Sequence, residues 1–501
     1  MGGQPGGLVV YEVRLTASAA ARDFASARRP WAGRYLCLVV TLKLMMGVAE
    51  RSSFGFGWGL VAACGLLAFS SGSASGRGFA RSVPVSAKLA AGAMAINDRG
   101  QAAVTYGGGG SVAFSYLDAR GRPGGPVPVR VDRPGISMDG SSLALDDRGR
   151  AAVGVQYVSG VHIADPMDYH DYSCCLQDAI AQFRFGEPLP VATTVSPPGG
   201  GPRQADGFSE ALDPPELLFG PFGLTALWEQ GSQGGEAPSS GYLAQAYGRF
   251  QAPMRSTAIT HYFSDTENSA GLNDFILTLG PGARPRAAWT AAPDRLQAAT
   301  GSRTGRLHRA SVCQRVRELS HVAVYDNGLH ADAEGDVLLA FHRLYSGRLL
   351  ISARRPTGRF SAPRVVAVIS SLSPTIVAGG HRQFLLLWTD ARGHLQAVRG
   401  TPFGQWSTPT DLGPSDAYAA AVDKTGSTMI LIATTAAHRP RLRQLIAAAH
   451  QPFSVARPIT AFPPGCHPSS LALTASPNGH ALLLAGCEGD SNNYRLSRYA
   501  P

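Results

Sequence analysis

Two stretches of the chain carry the same pattern: AGAMAINDRGQAAVTY at residues 91–106 and SSLALDDRGRAAVGVQY at residues 141–157. In both, alternating apolar residues lead to Asp-Arg-Gly, and a second alternating run ends in tyrosine. Alternation with a period of two residues is typical of β-strands. Asp bonds to the backbone of its own turn, and Gly adopts positive φ without steric cost. Each stretch therefore predicts a β-hairpin.

The hairpin pattern recurs along the chain at a regular spacing. Further copies lie at residues 214–228, 273–289, 328–343, 373–388, 417–433 and 469–487. The glycines expected at the turns are Gly100, Gly149, Gly223, Gly282, Gly335, Gly380, Gly426 and Gly479. A repeat of about 50 residues has room for four strands and matches one blade of a β-propeller. The sequence thus predicts an all-β fold, a single β-propeller of about eight four-stranded blades. About seven blades is the alternative, because residues 293–326 fit the repeat poorly.

The second half of each unit predicts the outer strands of a blade. An aromatic residue stands three positions before Pro in GRFQAP (248–253), GRFSAP (358–363) and GQWSTP (404–409). Pro is tolerated there because an edge strand need not donate every backbone N–H. The last unit ends without a fourth strand, whereas residues 78–86 look like an outer strand without a hairpin. We expect residues 78–86 to complete the last blade beside residues 493–499, which removes the open sheet edge.

Large aromatic residues end the second strand of many units. They are Tyr106, Tyr157, Trp228, Trp289, Phe341 and Trp388. A single blade cannot bury both of its faces, so blades must stack around an axis. We expect these side chains to pack between neighbouring blades.

The repeat resembles that of secreted bacterial β-propeller repeat proteins, in the broad group of sialidase-like and kelch-like propellers. The resemblance covers roughly residues 78–501 and concerns the repeat alone. Sialidases carry Asp-box turns of the form S-x-D-x-G-x-T-W and a Phe-Arg-Ile-Pro segment, and neither is present in this sequence. The catalytic residues of that family therefore have no positions here to be carried onto.

The first part of the chain predicts export. Residues 54–69, FGFGWGLVAACGLLAF, are uncharged and apolar, Arg51 precedes them, and the small residues of SSGSASG (70–76) follow. That order is typical of a secretory signal. Two alternatives stay open: a lipoprotein in which Cys64 of the VAAC sequence is lipidated, and an uncleaved anchor. All three place the propeller, residues 78–501, outside the cytoplasm, with residues 1–77 as leader and signal or anchor.

Insertions interrupt the repeat in units two to four. They lie at residues 158–173, 194–212, 231–240 and 257–272. By unit order they fall between the second and third strands of a blade or between blades. In a four-stranded meander these two kinds of connection emerge on the same face. We expect the inserted loops of units two to four to form the binding face.

Some insertions hold residues of the types that bind metals or catalyse reactions. Residues 161–175 contain His162, Asp165, Asp168, His170, Asp171, Cys174 and Cys175. Their spacing matches no metal motif. Residues 264–274 offer Asp265, Glu267 and Asp274, but Ala270 stands where a calcium loop needs Gly. Residues 489–493, GDSNN, lack an esterase context. We therefore predict no metal, no cofactor and no catalytic residue.

Five cysteines follow the signal, and export permits disulfides. Cys466 and Cys487 flank the last hairpin, and we predict that they are bonded to each other. We also expect Cys313 to pair with Cys174 or Cys175. Sequence alone does not give the connectivity, so both pairings stay open.

The composition bears on the partners. The formal charge is +10, but no run of five basic residues occurs, so nucleic-acid binding is not expected. We expect an exported, monomeric, non-catalytic binding or scaffold propeller whose partner is an extracellular protein or glycan. It would touch a membrane only through an N-terminal anchor or lipid. The alternative is a glycan-acting hydrolase or lyase at the central channel mouth, which needs two aimed carboxylates. Acids such as Asp98, Asp147 and Asp423 are instead expected to serve their own turns.

Overall fold

The structure is a computed structural model of the chain. It describes residues 79–85, 90–108, 110–118, 121–133, 135–163, 172–196, 208–211, 214–233, 240–263, 272–291, 295–308, 312–315, 327–332, 334–343, 347–369, 374–380, 382–423, 425–434, 441–463, 466–476, 480–488 and 494–499. The predicted export segment, Cys64 and the boundary after residue 77 lie outside these residues.

The described residues form eight antiparallel sheets, which we call blades I to VIII in chain order. Strand β1 (Val83–Pro84) precedes blade I. Blade I holds β2 (Ala90–Ile96), β3 (Ala102–Gly108), β4 (Ser111–Leu117) and β5 (Val127–Pro128). Blade II holds β6 (Gly135–Leu145), β7 (Arg150–Ile163), β8 (Tyr172–Arg184) and β9 (Thr193–Thr194). Blade III holds β10 (Phe208–Ala211), β11 (Glu216–Phe219), β12 (Gly223–Gln233), β13 (Ser240–Arg249) and β14 (Arg255–Phe263).

The other blades are shorter and more regular. Blade IV holds β15 (Leu272–Gly280), a 3₁₀ turn (Pro281–Ala283), β16 (Arg284–Ala291), β17 (Arg295–Thr300) and β18 (Val312–Arg315). Blade V holds β19 (Asn327–Ala331), β20 (Val337–Arg343), β21 (Arg348–Arg354) and β22 (Arg364–Val368). Blade VI holds β23 (Thr375–Ala378), β24 (Phe384–Thr389), β25 (His394–Gly400) and β26 (Thr410–Pro414). Blade VII holds β27 (Ala417–Val422), β28 (Thr428–Thr434), β29 (Arg441–Ala447) and β30 (Arg457–Pro458). Blade VIII holds β31 (His467–Ala475), β32 (Ala481–Glu488) and β33 (Tyr494–Tyr499), together with β1.

The blades form a closed ring. The innermost strand of each blade contacts that of the next, in the order β2, β6, β11, β15, β19, β23, β27, β31 and back to β2. This confirms the predicted β-propeller and decides in favour of eight blades over seven. Blade III departs from the common form because β10 and β11 both pair with β12. Pro214 and Pro215 directly precede β11, and neither can donate a backbone hydrogen bond to the ladder.

The N-terminal strand closes the ring, as predicted. Val83 pairs with Leu496 and Pro84 with Arg495 in the antiparallel ladder of β1 and β33. The Ala80 N–H also donates to the Arg498 carbonyl at 2.8 Å. The first described residues thus form the outermost strand of blade VIII, so the edge of β33 is covered.

The core lies between the blades. All six aromatic residues expected there are buried: Tyr106, Tyr157, Trp228, Trp289, Phe341 and Trp388. Trp228 of blade III packs in one cluster with Ala152 and Ile180 of blade II. Trp289 of blade IV packs in the same way against Leu218 and Leu243 of blade III.

The turn between the first and second strands differs from the prediction by one residue in two blades. Asn97 Oδ1 accepts the backbone N–H groups of Arg99 and Gln101, and Asp146 Oδ1 accepts those of Arg148 and Arg150. Asp98 and Asp147, which were expected to serve these turns, instead meet across two blades. The Asp98 N–H donates to Asp147 Oδ1 at 2.8 Å. The side chain that bonds the turn belongs to Asn97 in blade I and to Asp146 in blade II. In each blade this is the residue two positions before Arg, and its carbonyl accepts the N–H of the turn glycine.

Asp423 caps its turn as expected, by accepting the N–H groups of Thr425 and Ser427. The expected turn glycines divide into three groups. Positive φ occurs at Gly100, Gly149, Gly282, Gly335 and Gly426. Gly223 and Gly380 have other backbone angles, and in blade VI Arg382 takes the left-handed conformation with φ of 58°. Gly479 lies outside the described residues. Among the described residues, no helix is long and apolar enough to cross a membrane.

Candidate functional site

The strand order places the insertions of blades II to IV between second and third strands, or between blades. The segment 158–173 joins β7 to β8, and 231–240 joins β12 to β13. The segments 194–212 and 257–272 run from the outermost strand of one blade to the next blade. These connections emerge on one face of the ring, the face expected from the repeat.

The insertions are not loops throughout, because the flanking strands continue into them. Strand β7 has 14 residues and β8 has 13, and their pairing reaches Ile163 opposite Tyr172. Strands β12 and β13 pair as far as Gly231 opposite Gly241. We call these two extended hairpins the raised hairpins. Their tips, residues 164–171 and 234–239, lie outside the described residues.

The candidate metal ligands are spread over described and undescribed parts of the chain. His162 pairs with Ser173 and Cys174 with Val161 in the ladder of β7 and β8, while Asp274 pairs with Thr290 in blade IV. Outside the described residues lie Asp165, Asp168, His170, Asp171, Asp265, Glu267 and residues 489–493. Within the part of the chain that the structure describes, no three His, Cys, Asp or Glu residues are grouped to hold a metal ion.

A disulfide joins Cys466 and Cys487, whose Cα atoms lie 4.9 Å apart. It links the segment before β31 to β32, and so closes the hairpin of blade VIII. Cys313 lies on the outermost strand of blade IV, whereas Cys174 and Cys175 lie on the third strand of blade II. Blade III stands between them in the ring, so the strand order does not favour the expected pairing.

Two buried carboxyl groups lie near the axis at the inner turn of blade V. Asp332 Oδ1 accepts the Asp336 N–H at 2.7 Å, and Asp336 Oδ2 lies 3.2 Å from Arg382 Nε of blade VI. Burial raises the pKa of Asp332 well above its usual range, and the charges of Asp336 and Glu334 add to this. Burial also raises the pKa of Asp336, against the opposing charge of Arg382. Both residues are 0% exposed, so this pair is closed to a substrate.

His330, on the innermost strand of the same blade, is also enclosed. Burial lowers the pKa of His330 to about 3. Its imidazole is therefore neutral at physiological pH, because it carries a proton only in strong acid. The described inner end of blade V thus holds buried polar groups.

An open cavity of about 290 Å³ lies elsewhere, between the outer strands of blades III and IV. Blade III contributes Gln245, Thr257 and Ile259, and blade IV contributes Arg306, Leu307 and His308. Leu307 and Ile259 are buried, whereas Arg306 and His308 are exposed. The cavity therefore has an apolar floor and a polar rim, and none of its lining residues is acidic.

Hydrogen bonds between the two blades frame this cavity. Gln245 Nε2 donates to the Leu307 carbonyl at 2.8 Å, and its Oε1 accepts the Leu307 N–H at 2.7 Å. Thr225 Oγ1 donates to the Gly305 carbonyl at 3.0 Å. These contacts hold the connection between the third and fourth strands of blade IV against blade III.

Leu307 occupies a position, which we call the junction slot, that recurs in blades IV to VII and also in blade I, where Pro123 holds it and the Gly124 N–H donates to the Tyr116 carbonyl. In each of blades IV to VII, the residue after the slot donates its backbone N–H to a carbonyl of the third strand. The four pairs are His308 to Thr300, Ser361 to Ala353, Ser407 to Arg399 and Ser454 to Ile446. The slot residues of these four blades are Leu307, Phe360, Trp406 and Phe453. Among blades IV to VII, the slot of blade IV holds Leu307 where the other three hold an aromatic residue, and the cavity lies beside it.

The sequence pattern missed this slot. GRLHRA at residues 305–310 aligns with GRFSAP at 358–363, but Leu replaces the aromatic residue and Ala310 replaces Pro. The remaining Gly-Arg pair is the signal that an alignment of the units could have used. Conversely, GRFQAP at 248–253 has the full pattern, yet Phe250 lies in a turn and packs 6.0 Å from the Phe219 ring.

No protein-family model matches the chain, and no curated protein matches it. Solved structures are similar in fold. The BP39L lectin from Burkholderia pseudomallei is 12% identical with a TM-score of 0.44, covering 77% of this chain and 100% of the lectin. The NanB sialidase from Streptococcus pneumoniae is 10% identical with a TM-score of 0.36, covering 82% and 85%. A PL25 ulvan lyase is 11% identical with a TM-score of 0.39, covering 84% and 93%. Lectin, sialidase and lyase propellers are thus all similar to this chain, and at these values no function follows.

Proposed function

We propose that this chain is an exported, non-catalytic β-propeller that binds an extracellular partner through the face carrying the raised hairpins. The observation that carries the proposal is their one-sided extension. Strands β7, β8, β12 and β13 run to between 10 and 14 residues, whereas the middle strands of blades V to VII have six or seven. Extra structure on one face of a repeat protein is where partners usually bind.

Two further features support the proposal. The Cys466–Cys487 disulfide suits an oxidising compartment outside the cytoplasm. The buried acids of blade V, Asp332 and Asp336, bond within their own turn and to Arg382. They do not supply the pair of accessible carboxylates that the alternative, a glycan-acting hydrolase or lyase, requires.

The test uses the full chain and a variant with a shortened hairpin. Val158 pairs with Leu176, so replacing residues 159–175 by Asn-Gly leaves a tight turn in the same register. The matched control shortens the unextended hairpin of blade V, replacing residues 344–347 by Asn-Gly between Arg343 and Arg348. Both proteins and the wild type are applied to a glycan array and cross-linked to a bacterial extracellular fraction.

We expect the wild type and the blade V control to bind one class of partner, and the blade II variant to lose it by at least about tenfold, or ~1.4 kcal/mol. Equal binding by the blade II variant would overturn the assignment of the face. Shortened glycan products would favour the enzymatic alternative instead.

Export is tested separately. The chain expressed with residues 1–77 is expected outside the cytoplasm with Cys466 and Cys487 oxidised, and a variant lacking residues 54–69 is expected to stay inside. Radiolabelled palmitate on Cys64 would identify the lipoprotein form, and an intact N-terminus would identify the anchor. Cytoplasmic wild type would contradict all three.

A further inference from the structure

We propose that the cavity between blades III and IV is a second binding site, and that it takes an acidic sugar ring of the hexuronate class. This second site is separate from the proposed partner-binding face that carries the raised hairpins. Its blade IV wall, Arg306 to His308, lies in the connection between the third and fourth strands. In a four-stranded meander that connection emerges on the face opposite the insertions.

The cavity lies beside a junction slot that holds a smaller side chain than the slots of blades V to VII. Phe360 fills the slot between blades IV and V, where it is 4% exposed and packs with Ile276, Leu296 and Leu350. Trp406 and Phe453 pack against the cores of the two following junctions. Leu307 has the same backbone contacts but lacks a ring. Leu307 is 2% exposed and packs with Leu218, Leu243 and Trp289, and the cavity opens beside it.

The shape of that space suits a single ring. A volume of about 290 Å³ lies just below the ~300–1,000 Å³ of small-molecule sites and is too small for a folded partner. Leu307 and Ile259 form an apolar floor that suits the C–H face of a pyranose. Thr257 on the rim can donate or accept a hydrogen bond from a sugar hydroxyl.

The charge of the rim selects an acid. Arg306 and His308 line the cavity, and none of the described lining residues is acidic. A guanidinium pairs with a planar carboxylate through two parallel hydrogen bonds. A neutral sugar would leave Arg306 without that pairing, so the carboxylate of a hexuronate should distinguish ligands at this site.

The experiment measures binding of trigalacturonate to the full chain by calorimetry. The matched ligand is the same trimer with its carboxylates methyl-esterified, which keeps the rings and removes the charge. We expect the acid to bind at least about tenfold more tightly than the ester, with the difference falling as salt is added. Absence of binding by the acid, or equal binding by the ester, would overturn the proposal.

Three variants locate the site. Leu307→Phe restores the ring found in blade V and should abolish binding. Arg306→Ala removes an exposed side chain, so the fold should survive, and should weaken binding at least about tenfold. Arg303→Ala, in the same turn but outside the cavity lining, should bind as wild type. Unchanged binding in either of the first two variants would contradict the assignment.

The variant with a shortened β7–β8 hairpin should still bind trigalacturonate, which separates this site from the proposed partner face.

Discussion

The junction between blades III and IV and the junction between blades IV and V are built on the same contact. In the first, Gln245 bonds both backbone groups of Leu307 at 2.8 and 2.7 Å. In the second, Gln314 bonds both backbone groups of Phe360 at 2.9 Å each. The two junctions differ in whether the held residue carries a ring. Each glutamine fixes the backbone of a slot, but Gln245 lies on the third strand of blade III and Gln314 on the fourth strand of blade IV, so the junctions differ in that strand as well as in the slot side chain.

The largest effect is expected from emptying the filled junction. Phe360→Ala removes a buried ring and should lower the free energy of unfolding by ~3–5 kcal/mol. Leu307→Ala should cost less, about 2 kcal/mol, because it removes fewer buried atoms than Phe360→Ala. Urea unfolding of the two variants beside the wild type measures both values. Equal losses would mean that the two slots are packed alike, contrary to the comparison.

Removing the glutamines tests the shared contact itself. Gln245→Ala leaves the Leu307 N–H and carbonyl without their side-chain partner and should cost ~1–3 kcal/mol. Gln314→Ala should cost less, because Gln314 is only partly buried whereas Gln245 is 1% exposed, and water can replace its bonds. Gln405→Ala, at an exposed position, serves as the control and should change stability by less than ~0.5 kcal/mol. A larger loss for Gln314→Ala than for Gln245→Ala would contradict this ranking.

Converting the open junction to the filled form should have a smaller effect of opposite sign. Leu307→Phe places a ring where blade V has one, and filling a cavity commonly adds ~0.5–2 kcal/mol. Thermal unfolding compares the variant with the wild type, and Phe360→Leu is the reciprocal change, expected to lose stability. A destabilised Leu307→Phe would show that the walls of the cavity, and not only its slot residue, differ from those of blade V.

The sequence predicts the ring and its closure because those depend on local signals. Asp-Arg-Gly turns, alternating strands and the outer-strand character of residues 78–86 are each readable within a few positions. The cavity is framed by the hydrogen bonds between Gln245 and Leu307, which lie 62 positions apart in the chain. No local sequence pattern predicts that contact. In blade III the aromatic-Pro pattern stands between β13 and β14, as predicted for the outer strands, and Phe250 lies in the turn between them. Inter-blade aromatic positions that follow the repeat are therefore predictable here, whereas a side-chain contact between distant units, such as Gln245 with Leu307, is not.

The inner turns offer a second pair of regions that share geometry and differ in one group. In blade I, Asn97 Oδ1 accepts two backbone N–H groups while its Nδ2 donates to the Asp146 carbonyl at 2.8 Å. In blade V, Asp332 Oδ1 accepts the Asp336 N–H, and its other oxygen makes no hydrogen bond within the described residues. The amide of blade I is satisfied on both sides, whereas the carboxyl of blade V is buried beside other acids.

The smallest effect, expected from Asp332→Asn, depends on pH. Burial, with the neighbouring charges of Asp336 and Glu334, raises the pKa of Asp332 in the folded state. A raised pKa means that the folded state holds the proton more tightly than the unfolded state. The wild type is therefore favoured below the ordinary aspartate pKa of about 4 and loses that stability as pH rises towards the folded-state value.

Asn keeps the acceptor oxygen and does not titrate, so the Asp332→Asn variant should match the wild type in acid and become the more stable protein as pH rises. Unfolding midpoints measured from pH 4 to 8 test this, and a difference independent of pH would contradict it. The reverse change, Asn97→Asp, removes the donor to Asp146 and should be destabilising, increasingly so at higher pH.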